Sequence, residues 1–196
     1  IWSLRSVYPI GVVHTYILEE LMSRTLIIYS TVDGQTKAIC DQIQAICKTE
    51  SNIVTMISLE EAQSVNLSYY DKVLIGASIR YGKHRPELFQ YVNRHRAVLN
   101  SKKNAFFTVN VVARNPEKNT PETNPYMKKF IQLSLWQPQQ LGVFAGKIDY
   151  PKYRFFDKFM IRFIMWITKG PTDTAGTYEF TDWDKVQEFG KAFSER

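Results

Sequence analysis

Short apolar runs and longer amphipathic stretches take turns along this chain. The runs at 25–29, 52–57, 72–76, 105–110 and 140–145 are rich in β-branched and aromatic residues and read as strands. Between them, apolar positions recur at the spacing of one helix face. A helix is predicted over about 35–48, with Ala38, Ile39, Ile43 and Ile46 facing inward. Ser58 and Glu61 have capping-box spacing for a short helix. Pro86 and Glu87 suit the first turn of a helix over about 86–99. Asn124 and Pro125 open another that ends near Trp136, and Thr181 and Asp182 cap a last one over about 183–194. Strands this apolar, alternating with helices, predict an α/β fold: a doubly wound, five-stranded parallel sheet in the order 2-1-3-4-5. Ligands on such sheets sit at the carboxyl ends of the strands. The loops 30–36, 77–85 and 110–118 are therefore the expected site.

The first of these loops, S-T-V-D-G-Q-T, joins the first strand to the first helix. Unpaired N–H groups at a helix start, together with the helix dipole, favour an anion. Ser30, Thr31 and Thr36 add hydroxyl donors, and Gly34 lets backbone approach a ligand closely. The chain lacks G-x-x-x-x-G-K-[ST] and G-x-G-x-x-G, so neither a triphosphate loop nor a dinucleotide fingerprint is indicated. A single phosphate monoester fits; the plainer reading is an ordinary capped turn.

The length, 196 residues, suits one domain with a full core. A net charge of +6 points to acidic partners: nucleic acid, an anionic membrane surface or a carboxylate-bearing substrate. Cys40 and Cys47 fall on one face of the first helix, too far apart to bridge, and no Cys/His cluster has zinc spacing. No metal site is expected. Residues 1–21 hold an apolar patch interrupted by Pro9 and His14, with no cleavage-site pattern after it. They are read as an N-terminal extension outside a domain spanning 22–196.

Three further stretches sharpen the picture: G-A-S-I-R-Y-G at 76–82, V-N-V-V-A-R-N-P-E-K-N-T-P-E-T-N at 109–124, and Y-P-K-Y-R-F-F-D-K-F-M-I-R-F-I-M at 150–165. With the 30–36 loop, they resemble the flavodoxin-like, quinone-dependent protoporphyrinogen IX dehydrogenase family of haem biosynthesis. The match runs from Met22 to the C-terminus and departs from flavodoxins at Val32 and Asp33. The resemblance implies a flavodoxin-like fold and flavin mononucleotide (FMN) as cofactor. It assigns the phosphate to Ser30, Thr31, Gly34, Gln35 and Thr36, and places Val32 and Asp33 in the same cofactor-binding loop, with the Asp33 carboxylate turned away. It assigns the ring to Ala77, Ser78, Ile79, Arg80, Tyr81 and Gly82 on one side, and to Asn110, Val111, Val112, Ala113 and Arg114 on the other. Tyr81 is the expected stacking residue, and Asn110 is expected at the ring's polar edge.

Arg80, Lys83, Arg85, Arg114 and Lys118 crowd these loops, and positive charge favours the anionic reduced flavin. The family's reaction takes electrons from protoporphyrinogen IX and passes them to menaquinone or ubiquinone. Arg80, Lys83, His84, Arg114 and Arg154 are candidates to meet the substrate's propionates. Arg80, His84 and Arg114 are the candidate catalytic groups, although the flavin carries the chemistry. A flavodoxin-type electron carrier and a nicotinamide-dependent quinone reductase remain as alternatives, while no nucleic-acid module is visible.

An aromatic and basic insertion at 147–170 comes after the fifth strand. As a helix from about Lys152 it would align Arg154, Lys158 and Arg162 in one stripe, with Phe, Met, Ile and Trp over most of the rest. It is too short and too charged to span a bilayer, and an interfacial helix fits better. An anionic membrane surface is thus expected to meet 150–168, with the protein peripheral on the cytoplasmic face of the inner membrane. Burial of the helix against the sheet, or in a homo-oligomer, stays open.

Overall fold

The computed structural model describes residues 23–49 and 53–195. The expected extension at 1–21 and Met22 lies outside them. The five apolar runs form β1 (Arg24–Ser30), β2 (Ile53–Ser58), β3 (Lys72–Ser78), β4 (Lys103–Val109) and β5 (Gln140–Phe144). All pair in parallel in the order β2-β1-β3-β4-β5, as the sequence predicts.

Side-chain alternation along the strands builds two cores. Leu26, Ile28, Val73, Ile75 and Phe106 point to one face. There they pack under α2 (Pro86–Arg94), α3 (Arg96–Asn100) and α4 (Pro125–Leu133), with Phe130 stacked on Phe106 at 3.8 Å. Ile27, Leu74, Ala105 and Phe107 point to the other. That face is covered by α1 (Gln35–Thr49) and α6 (Trp183–Glu195). The inner face of α1 is Ile39, Cys40, Ile43 and Cys47; Ala38 and Ile46 are only half-buried. Neither cysteine forms a disulfide among the described residues, and both are buried.

Local details depart from the sequence reading. The predicted helix over 86–99 is two helices, because His95 leaves the helical region at φ −96, ψ 8. The capping box forms, with Ser58 N–H donating to Glu61 Oε2 at 2.7 Å and Glu61 N–H to Ser58 Oγ at 3.1 Å. The box opens only a 3-10 turn, Glu61–Ser64, because Asn66 caps a second turn at Leu67–Tyr69.

The insertion also differs from one continuous helix. β6 (Lys147–Asp149) pairs antiparallel with β7 (Thr177–Glu179), and a 3-10 turn at Tyr150–Lys152 precedes α5 (Phe155–Ile167). Pro151 and the extended backbone of Arg154 delay the helix start. Arg154 therefore falls before the helix, and the expected three-residue basic stripe reduces to Lys158 and Arg162. A small third core of Ile148, Tyr150 and Met165 holds the insertion together. It leaves Phe155, Phe156 and Trp166 at least 70% exposed. Among the described residues, no helix is long and apolar enough to cross a membrane.

Candidate functional site

At the carboxyl end of β1 the chain turns into α1 through Thr31–Gly34. Thr31 Oγ1 accepts from Gly34 N–H at 3.0 Å, and Gly34 adopts φ +87, a region costly for any residue with a Cβ. Ala38 N–H is the first in the helix to find a backbone acceptor, Gly34 O at 3.0 Å. The amides of Gln35, Thr36 and Lys37 thus face the turn without one, as helix starts do. Thr36 is fully buried and its hydroxyl has no partner among the described residues. A buried hydroxyl left unsatisfied costs about 1–3 kcal/mol, so its persistence here points to a ligand. The Gln35 side chain turns away instead, donating to Glu179 Oε1 at 2.6 Å and Thr181 Oγ1 at 2.9 Å.

A small cleft of about 50 Å³ lies at this turn, lined by Thr31, Thr36, Ser78 and Asn110 among others. Beside it opens a cavity of about 430 Å³ between the β3–α2 loop, the loop after β4, and α5. Asp33, Ile79, Asn110 and Val111 line both. The amides of Val111 and Val112, at the open start of a 3-10 turn, have no acceptor among the described residues and border the larger cavity. Oxygen-seeking donors at one end and a largely apolar cavity at the other suit a phosphate ester of a flat ring system.

The structure brings together most of the loop residues singled out by sequence, but several are used differently. Asn110 Oδ1 caps Ala113 N–H at 3.0 Å, and its amide pairs with Asn124, which in turn caps α4. Asn110 therefore secures the loop rather than offering its side chain to a ring edge. Arg80 is ion-paired on two sides, to Asp33 at 3.1 Å and to Asp157 at 2.8 Å. The expected surplus of positive charge is thereby offset at that position. Arg85 pairs with Glu60 at 2.7 Å. Arg114 donates to Thr168 O at 2.6 Å and Oγ1 at 2.8 Å, capping the C-terminal end of α5 instead of bordering the cavity. Burial lowers its pKa.

His84 is another correction. Its neighbours in sequence are charged, yet it is buried against Phe89, Phe106 and Phe130, with Nε2 at 3.0 Å from Thr108 Oγ1. It does not border the large cavity. Desolvation pulls its pKa down to about 4. It is neutral at physiological pH and unsuited to carry protons for chemistry in the cavity.

Sequence reading missed Lys147, which borders both clefts and makes no ion pair among the described residues. It also missed Asp157 and Tyr153. Burial, chiefly, raises the Tyr153 pKa to about 12. A basic residue just after the glycine that ends the fifth apolar run was the available signal for Lys147.

The fold and this turn define a flavodoxin-domain protein, and a flavodoxin domain family model matches residues 26–175. The oxidised Flavodoxin 1 structure from Bacillus cereus shares the fold, with a TM-score of 0.52 at 16% identity over 89% of this chain and 99% of that one. More narrowly, the chain belongs to the protoporphyrinogen IX dehydrogenase (quinone) family. It is 43% identical over 171 residues to the Escherichia coli (strain K12) protein of that name, covering 86% of this chain and 93% of the relative. The Leishmania major relative of the same name is 42% identical over 172 residues, covering 87% and 74%.

These environments set two measurable outcomes. In the ligand-free protein, Thr36→Val should be neutral or raise unfolding free energy by up to about 1 kcal/mol, since it removes an unpaired hydroxyl. The same variant should lose most of the thermal upshift given by a bound phosphate monoester; a destabilised ligand-free variant would show that the hydroxyl is satisfied. His84 binds a proton more weakly folded than unfolded. Its contribution therefore lowers stability as pH falls from about 6.5 towards about 4, by roughly 3 kcal/mol in all. His84→Gln should flatten that part of the stability–pH curve in denaturant titrations.

Proposed function

We propose that this chain is an FMN-dependent enzyme that oxidises protoporphyrinogen IX to protoporphyrin IX and passes the electrons to a quinone. The observation that carries the reading is the phosphate-type turn, with its unpaired Thr36 hydroxyl, opening onto the 430 Å³ cavity in a chain 43% identical to a protein named for this activity. The residues fit the cofactor. The amides of Gln35, Thr36 and Lys37, with the hydroxyls of Thr36 and Thr31, would hold the phosphate. The Val111 and Val112 amides would meet the polar edge of the ring, and Tyr81 would cover a face. FMN supplies the two-electron chemistry when bound.

The protein's own part is placement, exclusion of water and charge. Met160, Ile161 and Ile164 of α5 form an apolar wall over the cavity. Lys147 and the exposed Lys83 and Arg154, none of them in an ion pair among the described residues, are cations left to meet substrate carboxylates, since Arg80 and Arg114 are engaged and His84 is buried. The exposed aromatic face of α5 supports docking on a bilayer, where a lipid-soluble quinone would be reached. Phe155, Phe159, Phe163 and Trp166 are 48–88% exposed, more apolar surface than a solvated helix carries. The reading extends to a peripheral enzyme on the cytoplasmic face of the inner membrane.

The activity is tested with purified, FMN-loaded protein under anaerobic conditions. Protoporphyrin fluorescence should appear only when both porphyrinogen and a quinone are supplied; reduction of FMN without turnover would leave an electron carrier. Docking is tested by co-sedimentation with anionic vesicles. Phe159→Ser combined with Trp166→Ser should cut the bound fraction several-fold while the flavin spectrum is kept. A dimer by sedimentation equilibrium together with no vesicle binding would assign the face to a second copy instead.

A further inference from the structure

Three elements that lie far apart in sequence meet through Arg80 at the edge of the cavity. Asp157, in the first turn of α5, accepts from Arg80 Nη2 at 2.8 Å and from Tyr81 Oη at 2.6 Å. Arg80 Nη1 reaches across to both oxygens of Asp33 in the phosphate-type turn, at 3.1 and 3.2 Å. The side chains of Asp157 and Arg80 are only 15% and 22% exposed, so this is not a solvated surface pair.

Tyr81 needs such support. Its backbone sits at φ +49, a region unfavourable by about 1–2 kcal/mol for a residue with a Cβ. Its ring is 69% exposed, and the Arg80 guanidinium lies 4.9 Å from the ring centre. Gly82, at φ +75, continues the turn, and the Arg80–Lys83 backbone bridge closes it. Within that turn the tyrosine hydroxyl has one acceptor, and it comes from the insertion. A single tether on α5 thus fixes an otherwise loose aromatic ring and shares a cation with the turn below it. At the other end of α5 the Arg114–Thr168 bonds act as a second tether.

We propose that Asp157 is a positioning residue: it orients Tyr81 and Arg80 on the cofactor loop and ties α5 over the cavity. Its effect on FMN rests on the function proposed above, whereas its hold on α5 does not. Removing it leaves Arg80 to Asp33 and the face of Tyr81, and the Tyr81 hydroxyl without its acceptor, loosening loop and helix together.

The test compares full-length wild type with Asp157→Ala, Asp157→Asn and Tyr81→Phe. Amide hydrogen exchange across 155–167 is read on protein stripped of FMN, and visible circular dichroism and dissociation constant on protein titrated with FMN. Asp157→Ala should speed exchange in the first turns of α5 about tenfold, weaken FMN binding about tenfold and alter the flavin dichroism. Asp157→Asn, which keeps an acceptor, should fall between. Tyr81→Phe should alter the dichroism without changing the charge of α5. Should Asp157→Ala fail to fold, Asp157→Asn carries the test. Unchanged exchange overturns the clasp. Faster exchange with unchanged flavin dichroism overturns the positioning role. Wild type that takes up no FMN contradicts the proposed function, while the exchange result still decides the clasp.

Discussion

Everything in this molecule is arranged around donors that have no acceptor at the start of α1. The first turn of a helix cannot satisfy its own amides, and here a buried, unpaired threonine hydroxyl joins them. The sheet fixes where that deficit points. β1 is an inner strand, flanked by β2 and β3, so its exit lies at the point where the strand order reverses. The loops after β3 and β4 converge on the same end, and the cavity between them starts where the donors stop. A ligand with a phosphate tail and a flat head meets both needs.

The insertion adds a wall to that open edge. In a doubly wound sheet the ligand crevice is otherwise bordered by loops alone. Here α5 adds an apolar wall, held at one end by Asp157 and at the other by Arg114. Three of the cations on these loops are engaged. Arg80 sits between two carboxylates, Arg85 meets Glu60, and Arg114 caps a helix. The electrostatic character of the cavity is therefore set by the Arg80 pairs and by Lys147, which is in no ion pair among the described residues, not by the net charge of +6.

Much of the fold was legible because parallel strands buried on both faces are written as continuous apolar runs. The phosphate-type turn was legible because its residues are adjacent in sequence. What escaped was long-range or hidden by local context. Arg80 finds Asp33 and Asp157 at sequence separations of 47 and 77. Asn110 finds Asn124 across a polar loop whose composition says nothing of pairing. His84, between Lys83 and Arg85, looks like a surface residue until Phe89, Phe106 and Phe130 close around it. Pro151 and Arg154 shifted the start of α5, removing one member of a basic stripe that spacing alone had suggested.

The central claim is that the turn between β1 and α1 grips a phosphate. Its most direct measurement is a parallel titration of flavin-free protein with FMN and with riboflavin, tracked by flavin fluorescence. The account predicts that FMN binds and that riboflavin, which carries the same ring without the phosphate, binds at least about a hundredfold more weakly, the difference expected from several charge-assisted hydrogen bonds. Equal affinity for the two, or no uptake of either, would contradict it.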